Sequence, residues 1–362
     1  MKSIYKYTLI LAGISLIVML IMLFMGYKAE VGPPVIIGLL AMAIGFRGHE
    51  FLKKLSYSVI IFSSVSASLF YPQYFTNWGD FKLSLLIVPL LQIIMFGMGT
   101  AMSFKDFVGV IKMPKAVGIG LICQFSIMPI VGFTLATVFG FAPEIAAGVV
   151  LIGASPSGLA SNVMSYIAKA NLALSVTLTA CATLLAPILT PFLMKVFAGQ
   201  FIPIDFLDMM WSIIKIVILP IIAGLVFNYF FHGKAEWLDK AMPIVSMAGI
   251  AVIITVITAS GRDSLLTVGL ALVLAAILHN GLGYFLGYWA CRFLKMSELD
   301  CRTIALEVGM QNGGLASGIA LEMGKVATVG LAPAIFGPWM NISGSCLATW
   351  WREKPVVTET GN

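Results

Sequence analysis

Glu307 sits inside Ala305-Leu306-Glu307-Val308-Gly309-Met310-Gln311-Asn312-Gly313-Gly314, with long apolar sequence on both sides. A carboxylate at mid-membrane depth costs roughly 3 kcal/mol or more if left unpaired. No lysine or arginine lies in this stretch; amides and glycines do. Hard cations take oxygen ligands, and the chain offers Glu307, Gln311, Asn162, Ser161, Gln124, Ser175 and Thr179 as candidates. Ser175 and Thr179 are one helical turn apart and share a face. Sodium or a proton fits better than a transition metal, because no His/Cys cluster has ligand spacing. The expectation is a cation site at mid-membrane.

The elements that would hold such a site are membrane helices. Of the 362 residues, 60% are hydrophobic and 10% charged, and mean hydropathy is +1.00. A soluble domain carries about 25% charged residues. The apolar runs are long enough to span a bilayer as helix, and the short alternating segments of a barrel are missing. We read twelve spans, at 5–26, 33–46, 56–73, 84–102, 116–139, 144–168, 172–197, 207–230, 242–260, 265–291, 302–324 and 327–350. The first is too long for a signal-peptide core and is expected to be retained.

Sixteen of the 22 Lys and Arg residues, Lys6, Arg47, Lys53 and Arg302 among them, fall on one side of this layout. The other side has Lys28, Lys82, Lys195, Arg262 and Lys325. The positive-inside rule makes the first side cytoplasmic, with both termini inside a cell inner membrane. The net charge of +6 is then a topology signal and implies no nucleic-acid partner. Lys215, well inside a span, is close enough to its end to snorkel. Cys123, Cys181, Cys291, Cys301 and Cys346 have no CxxC spacing and read as small apolar fillers. The sequon at Asn341-Ile342-Ser343 is buried in the last span and is expected to be silent.

Residues 56–200 and 201–351 hold five spans each, preceded by a hairpin at 1–55 and followed by a short cytoplasmic tail at 352–362. The fourth span of each half is interrupted by glycine and polar residues, from Gly153 to Asn162 and from Val308 to Gly318, and Gly-Leu-Ala-Ser recurs at 158–161 and 314–317. An odd number of spans per half gives the halves opposite orientation, an inverted repeat. Paired interruptions at matching positions point to a transporter binding site. The plainer reading is kinking or close packing by small residues.

Unwinding a helix at the midplane frees carbonyls, which suit a cation, and amide NH groups, which suit an anion. A carboxylate substrate would rest on the helix N-termini near Gly158–Ser161 and Asn312–Gly314, held there by a cation beside Glu307. Coupling follows if only the doubly loaded or empty protein switches between inward-open and outward-open states.

From about Leu85 to the C-terminus the chain resembles the bacterial members of the bile acid:sodium symporter family. The matching pieces are Ile94–Gly99, Gln124–Pro129, Ser155–Met164, Leu278–Tyr284, Glu307–Asn312 and Asn341–Ser345. The resemblance implies an all-α polytopic membrane protein: two inverted five-helix repeats forming panel and core domains, with two broken helices crossing in the core, here with an extra N-terminal two-helix hairpin. It implies two sodium sites, one from Ser161, Asn162, Ser175, Thr179 and Glu307, the other from Gln124, Glu307, Val308, Met310 and Gln311, with Val308 and Met310 giving carbonyls. It implies uptake of an organic anion with sodium, and Gly158, Asn312, Gly313 and Asn341 are the expected substrate contacts. Leu159 and Met340 stand where some relatives carry a hydroxyl and a histidine, which makes the cavity less polar.

His279 is expected to be a satisfied structural histidine, with a proton relay as the sharper alternative. The competing function is a proton-coupled or uncoupled transporter of a small organic acid in which Glu307 titrates; a channel is a further option. No HExxH, Ser/His pair, Asp/Asp pair or cofactor motif supports an enzyme. The expected partners are a small organic anion and membrane lipids, and the expected functional unit is a monomer.

Overall fold

A computed structural model describes residues 3–27, 30–50, 52–103, 106, 108–231 and 236–354. Of the charges used for topology, Lys2, Lys28, Lys105 and Lys234 lie outside the described residues, as do residues 355–362 of the expected tail.

The chain is helical almost throughout. It starts with α1 (Ser3–Phe24), α2 (Gly32–Phe46), α3 (Ser56–Phe70) and the short α4 (Gln73–Thr76). A two-residue hairpin follows, β1 (Asn77–Trp78) and β2 (Phe81–Lys82). Then come α5 (Ile87–Ala101), α6 (Val108–Lys112), α7 (Pro114–Val138), α8 (Pro143–Ala154), α9 (Leu159–Ile167) and α10 (Leu172–Phe197). The rest is α11 (Phe206–Ile213), α12 (Leu219–Phe231), α13 (Glu236–Ser260), α14 (Arg262–Phe293), α15 (Glu298–Gly309), α16 (Gly313–Glu322) and α17 (Leu331–Arg352). Among the described residues seven helical segments are long and apolar enough to cross a membrane. Every one of the twelve expected spans coincides with a helix or a pair of half-helices.

Local chemistry explains most boundaries. Prolines open α2, α7 and α8, where the missing N–H costs nothing and the fixed φ suits the first turn. A π-helical turn at Ile214–Ile218, carrying Lys215, joins α11 to α12 within one apolar run. The β-hairpin departs from an all-helical reading. Gly79 adopts φ 60° between the paired residues Trp78 and Phe81, a conformation glycine takes without steric penalty.

Among the seven long apolar helices α1 is the least enclosed, with only Ser15 buried, and it packs along α2. α2 is tied to α3, where Ser56 Oγ donates to Ala43 O (2.7 Å) and Ser63 Oγ to Ile36 O (3.2 Å). α3 and α5 both pack on α13, and α5 runs along α12. Gly99 and Gly224 let α5 and α12 touch backbone to backbone: a Cβ on either would come within 2.2 Å of a carbonyl of the other helix, the close approach that small residues permit in membrane helices. On the other side α7 packs on α8, α14 and α10, and α14 packs on α15 and α17.

One charged residue sits differently from its expected place in a loop. Ser297 caps α15, its Oγ accepting from Asp300 N (3.2 Å), so the helix begins before Arg302. Arg302 is therefore buried in the second turn, paired with Glu298 at 2.8 Å and donating to Trp351 O (3.0 Å). Its i,i+4 spacing from Glu298 makes that pairing possible.

Candidate functional site

The two interruptions have different causes and meet. α8 stops at Ala154 because Pro156 disfavours helical backbone at the residue before it, and Ser155 is extended at φ −78°, ψ 150°. α15 stops at Gly309 without a proline. Met310 is extended, and Asn312 restarts the chain as α16 by accepting from Leu315 N through its side chain (3.0 Å). Ser157 and Gln311 then form an antiparallel bridge. Asn312 N donates to Pro156 O (2.7 Å) and Gly158 N to Met310 O (3.1 Å). Each interruption thus satisfies backbone groups freed by the other, in a place with little water to do so.

Side chains from neighbouring helices satisfy more. Gln124 Nε2 on α7 donates to Ser155 O (3.1 Å), Gln311 Nε2 to Val308 O (2.6 Å), and Asn280 Nδ2 on α14 to Gly309 O (2.7 Å). Ser343 on α17 donates in turn to Asn280 Oδ1.

Glu307 lies in the last turn of α15, buried at 2% exposure. Four hydroxyls converge on its carboxylate: Ser161 Oγ (2.6 Å) and Ser175 Oγ (2.5 Å) on Oε1, Ser157 Oγ (2.6 Å) and Thr179 Oγ1 (2.9 Å) on Oε2. Asn162 Oδ1 completes the group, 2.8 Å from Ser175 Oγ and 3.0 Å from Thr179 Oγ1. Each hydroxyl has one proton to give, yet Ser161 Oγ also lies 2.7 Å from Gly158 O, and Ser175 and Thr179 each reach both Glu307 and Asn162. Oxygen lone pairs outnumber protons around one formal negative charge, and no side-chain cation is among these partners. That is an oxygen-donor environment for a small hard cation. Among the described residues no group of three His, Cys, Asp or Glu side chains has metal-holding geometry, so a transition-metal centre has no ligand set here.

All five residues expected for the first cation set are therefore together. Ser157 is an addition: it stands between Pro156 and Gly158 in non-helical backbone, and its signal in the sequence was that position alone. Of the second set, Gln124 Nε2 donates to Gln311 Oε1 (2.7 Å), beside the Val308 carbonyl. Gln124 Oε1 is buried without a hydrogen-bond partner, an acceptor that a cation would satisfy. The Met310 carbonyl accepts from Gly158 N, and the Glu307 carboxylate bonds run to Ser157 and to Ser161, Ser175 and Thr179 of the first set.

Gly158, Asn312, Gly313 and Asn341 line one cavity of about 180 Å³, together with Leu159 and Met340. Its far wall is apolar, with Ile61, Met95, Met98 and Ile253 from α3, α5 and α13, and no charged side chain lines it. His279 contacts Met128 O through Nε2 (3.2 Å) and packs on Phe336, while its Nδ1 is buried with no hydrogen-bond partner. The histidine is thus only half satisfied. Cys123, Cys291 and Cys301 are buried, as a filler role requires, whereas Cys346 is exposed; none of the five is in a disulfide.

Residues 88–268 match the model of the Sodium Bile acid symporter family. The chain is 42% identical over 305 residues to the uncharacterised sodium-dependent transporter YocS of Bacillus subtilis, covering 84% of this chain and 92% of that protein. It is 34% identical over 264 residues to the probable chloroplastic sodium/metabolite cotransporter BASS1 of Arabidopsis thaliana, covering 73% and 66%. It is 32% identical over 275 residues to the human ileal sodium/bile acid cotransporter, covering 72% and 78%. These relatives are named as transporters, not enzymes. The protein is a multi-pass membrane transporter, and it belongs to the sodium bile acid symporter family.

Proposed function

We propose that this protein is a symporter that imports a small organic anion with sodium by alternating access. The observation that carries the reading is the buried Glu307 carboxylate ringed by Ser157, Ser161, Ser175, Thr179 and Asn162 oxygens. A proton would need one acceptor and no such ring. One sodium ion binds there, and a second binds among Gln124, Val308, Met310 and Gln311, where the unpartnered Gln124 Oε1 supports it. Both ions lie at the meeting point of the two interruptions, so loading them stiffens the backbone that also forms the cavity wall.

The anion binds in the cavity at Gly158, Asn312, Gly313 and Asn341. One feature supports this: helices α9 and α16 both begin at its edge, and a helix start carries the positive end of the helix dipole. The apolar opposite wall favours a carboxylate with a compact apolar body. A volume of about 180 Å³ is below the ~300–1,000 Å³ of pockets for larger organic ligands.

Residues 56–200 and 201–351 act as inverted repeats. α3, α5, α11, α12 and α13 form the panel and α7–α10 with α14–α17 the core; rocking one against the other opens the cavity to alternate sides. Residues 1–55 add a hairpin on the panel side and 352–362 a tail. The protein works as a monomer in the bacterial inner membrane with both termini cytoplasmic.

Thermal unfolding in sodium, potassium and choline tests the cation site. A ligand that binds only the folded state stabilises it by RT ln(1 + [L]/Kd). A sodium-only stabilisation that is lost in Glu307→Ala, followed by sodium-dependent anion uptake into proteoliposomes, is expected. Equal stability in all three salts would overturn sodium coupling.

A further inference from the structure

A second concavity lies on the outer face of α14 and α17, and none of its lining residues lines the cavity described above. Its volume is about 610 Å³. The walls are aromatic: Phe285, Tyr288 and Trp289 from α14 face Trp350 and Trp351 from α17. Tyr288 stacks on Trp351 at 5.9 Å between ring centroids, and Phe285 packs on Trp289 at 6.3 Å. Phe285 and Trp350 are more than half exposed, so the groove opens to the molecule's surroundings. In a membrane protein those surroundings are lipid.

Length and charge say what fits. From Ile277 to Trp289 the groove follows thirteen residues of α14, about 18 Å of helix rise. That is roughly one leaflet of a hydrocarbon core about 30 Å thick. One end is polar but internally satisfied, by Asn280, Tyr284 and Ser343. The other end, where α14 and α17 finish, is cationic. Glu298 there accepts from Tyr288 (2.7 Å) and Arg302 (2.8 Å), with Arg292 at 3.9 Å. The buried Arg302 neutralises Glu298, which leaves the partly exposed Arg292 and Lys354, whose Nζ lies 5.5 Å from the centre of the Trp350 ring, as the accessible positive charge.

We infer that this groove is a binding site for an anionic phospholipid, with an acyl chain along the aromatic walls and the phosphate at Lys354 and the partly exposed Arg292 at its rim. An aromatic girdle alone would anchor the helices at the interface without a concavity or an excess of charge at one end. The site also touches the transport machinery, because Asn280 at its inner end holds the Gly309 carbonyl at the second interruption.

Two substitutions test the site from its two ends. Lys354→Glu reverses a charge at the rim. Gly281→Leu fills the groove at a position where an added Cβ meets no atom within 4 Å, so folding should survive; thermal unfolding checks both variants. The assay is native mass spectrometry of the purified protein with equimolar phosphatidylglycerol and phosphatidylcholine of the same acyl chains, plus oleate. A surface-proximal basic residue contributes about fivefold in affinity for anionic lipid. Wild type should therefore retain phosphatidylglycerol over phosphatidylcholine by about fivefold or more, and each variant should lose most of that excess. No preference in wild type, or unchanged retention in both folded variants, would overturn the site. Stronger retention of oleate than of phosphatidylglycerol would overturn the phospholipid assignment.

Discussion

Ser175→Ala isolates the contribution of one oxygen to the cation site. The Ser175 hydroxyl stands 2.5 Å from Glu307 Oε1 and 2.8 Å from Asn162 Oδ1, so its removal deprives a buried carboxylate and an amide oxygen of the same neighbour. A hydrogen bond to a charged group contributes about 1.5–3 kcal/mol, and the sodium-free protein should lose stability of that order. An ion coordinated there also loses one oxygen ligand. If that costs a similar amount, the sodium concentration giving half the stabilisation rises by roughly 10–150-fold. Well above Kd, each tenfold rise in sodium adds about 1.4 kcal/mol per bound ion. The slope therefore counts ions while the midpoint reports affinity. Ser175→Ala should move the midpoint and keep the limiting slope. Glu307→Gln, which keeps the shape but removes the charge, should flatten the slope by at least one ion. The assay is thermal unfolding over a sodium series at constant ionic strength, balanced with choline. A Ser175→Ala curve whose midpoint coincides with that of wild type would show that the hydroxyl ring serves folding alone, and the cation reading of the site would fail.

Two further outcomes follow from the packing. Asn280→Ala leaves the buried Gly309 carbonyl without its 2.7 Å donor and should cost about 1–3 kcal/mol, read as a lowered unfolding midpoint in both sodium and choline; an unchanged midpoint would show that this bond is dispensable. Gly224→Val places a Cβ only 2.2 Å from Phe96 O unless the helices separate, and should destabilise the protein by about 1–3 kcal/mol or more; wild-type stability and expression would refute the tight α5–α12 crossing.

Much of this protein was legible locally. Membrane-spanning helices announce themselves because a lipid environment demands long apolar runs with all backbone groups paired inside the segment, and the span limits at 116–139 and 172–197 fall within two residues of α7 and α10. The interruption at Ser155-Pro156 was equally local, since proline constrains the residue before it. Glu307, Ser175 and Thr179 could be grouped because helical spacing puts the latter two on one face, and a buried carboxylate needs partners.

Tertiary structure decided the rest. The break after Gly309 has no proline; it persists because Asn280 takes the Gly309 carbonyl and Pro156 O takes Asn312 N. Ser157 joins the ring around Glu307 from non-helical backbone, where no periodicity predicts direction. Arg302, read from the sequence as a loop charge, is buried by Glu298 and Trp351. Sequence can state that a polar group inside a membrane must be satisfied. Which partner satisfies it depends on contacts between residues more than a hundred positions apart, as between Ser157 and Glu307, and only the packed helices bring those together.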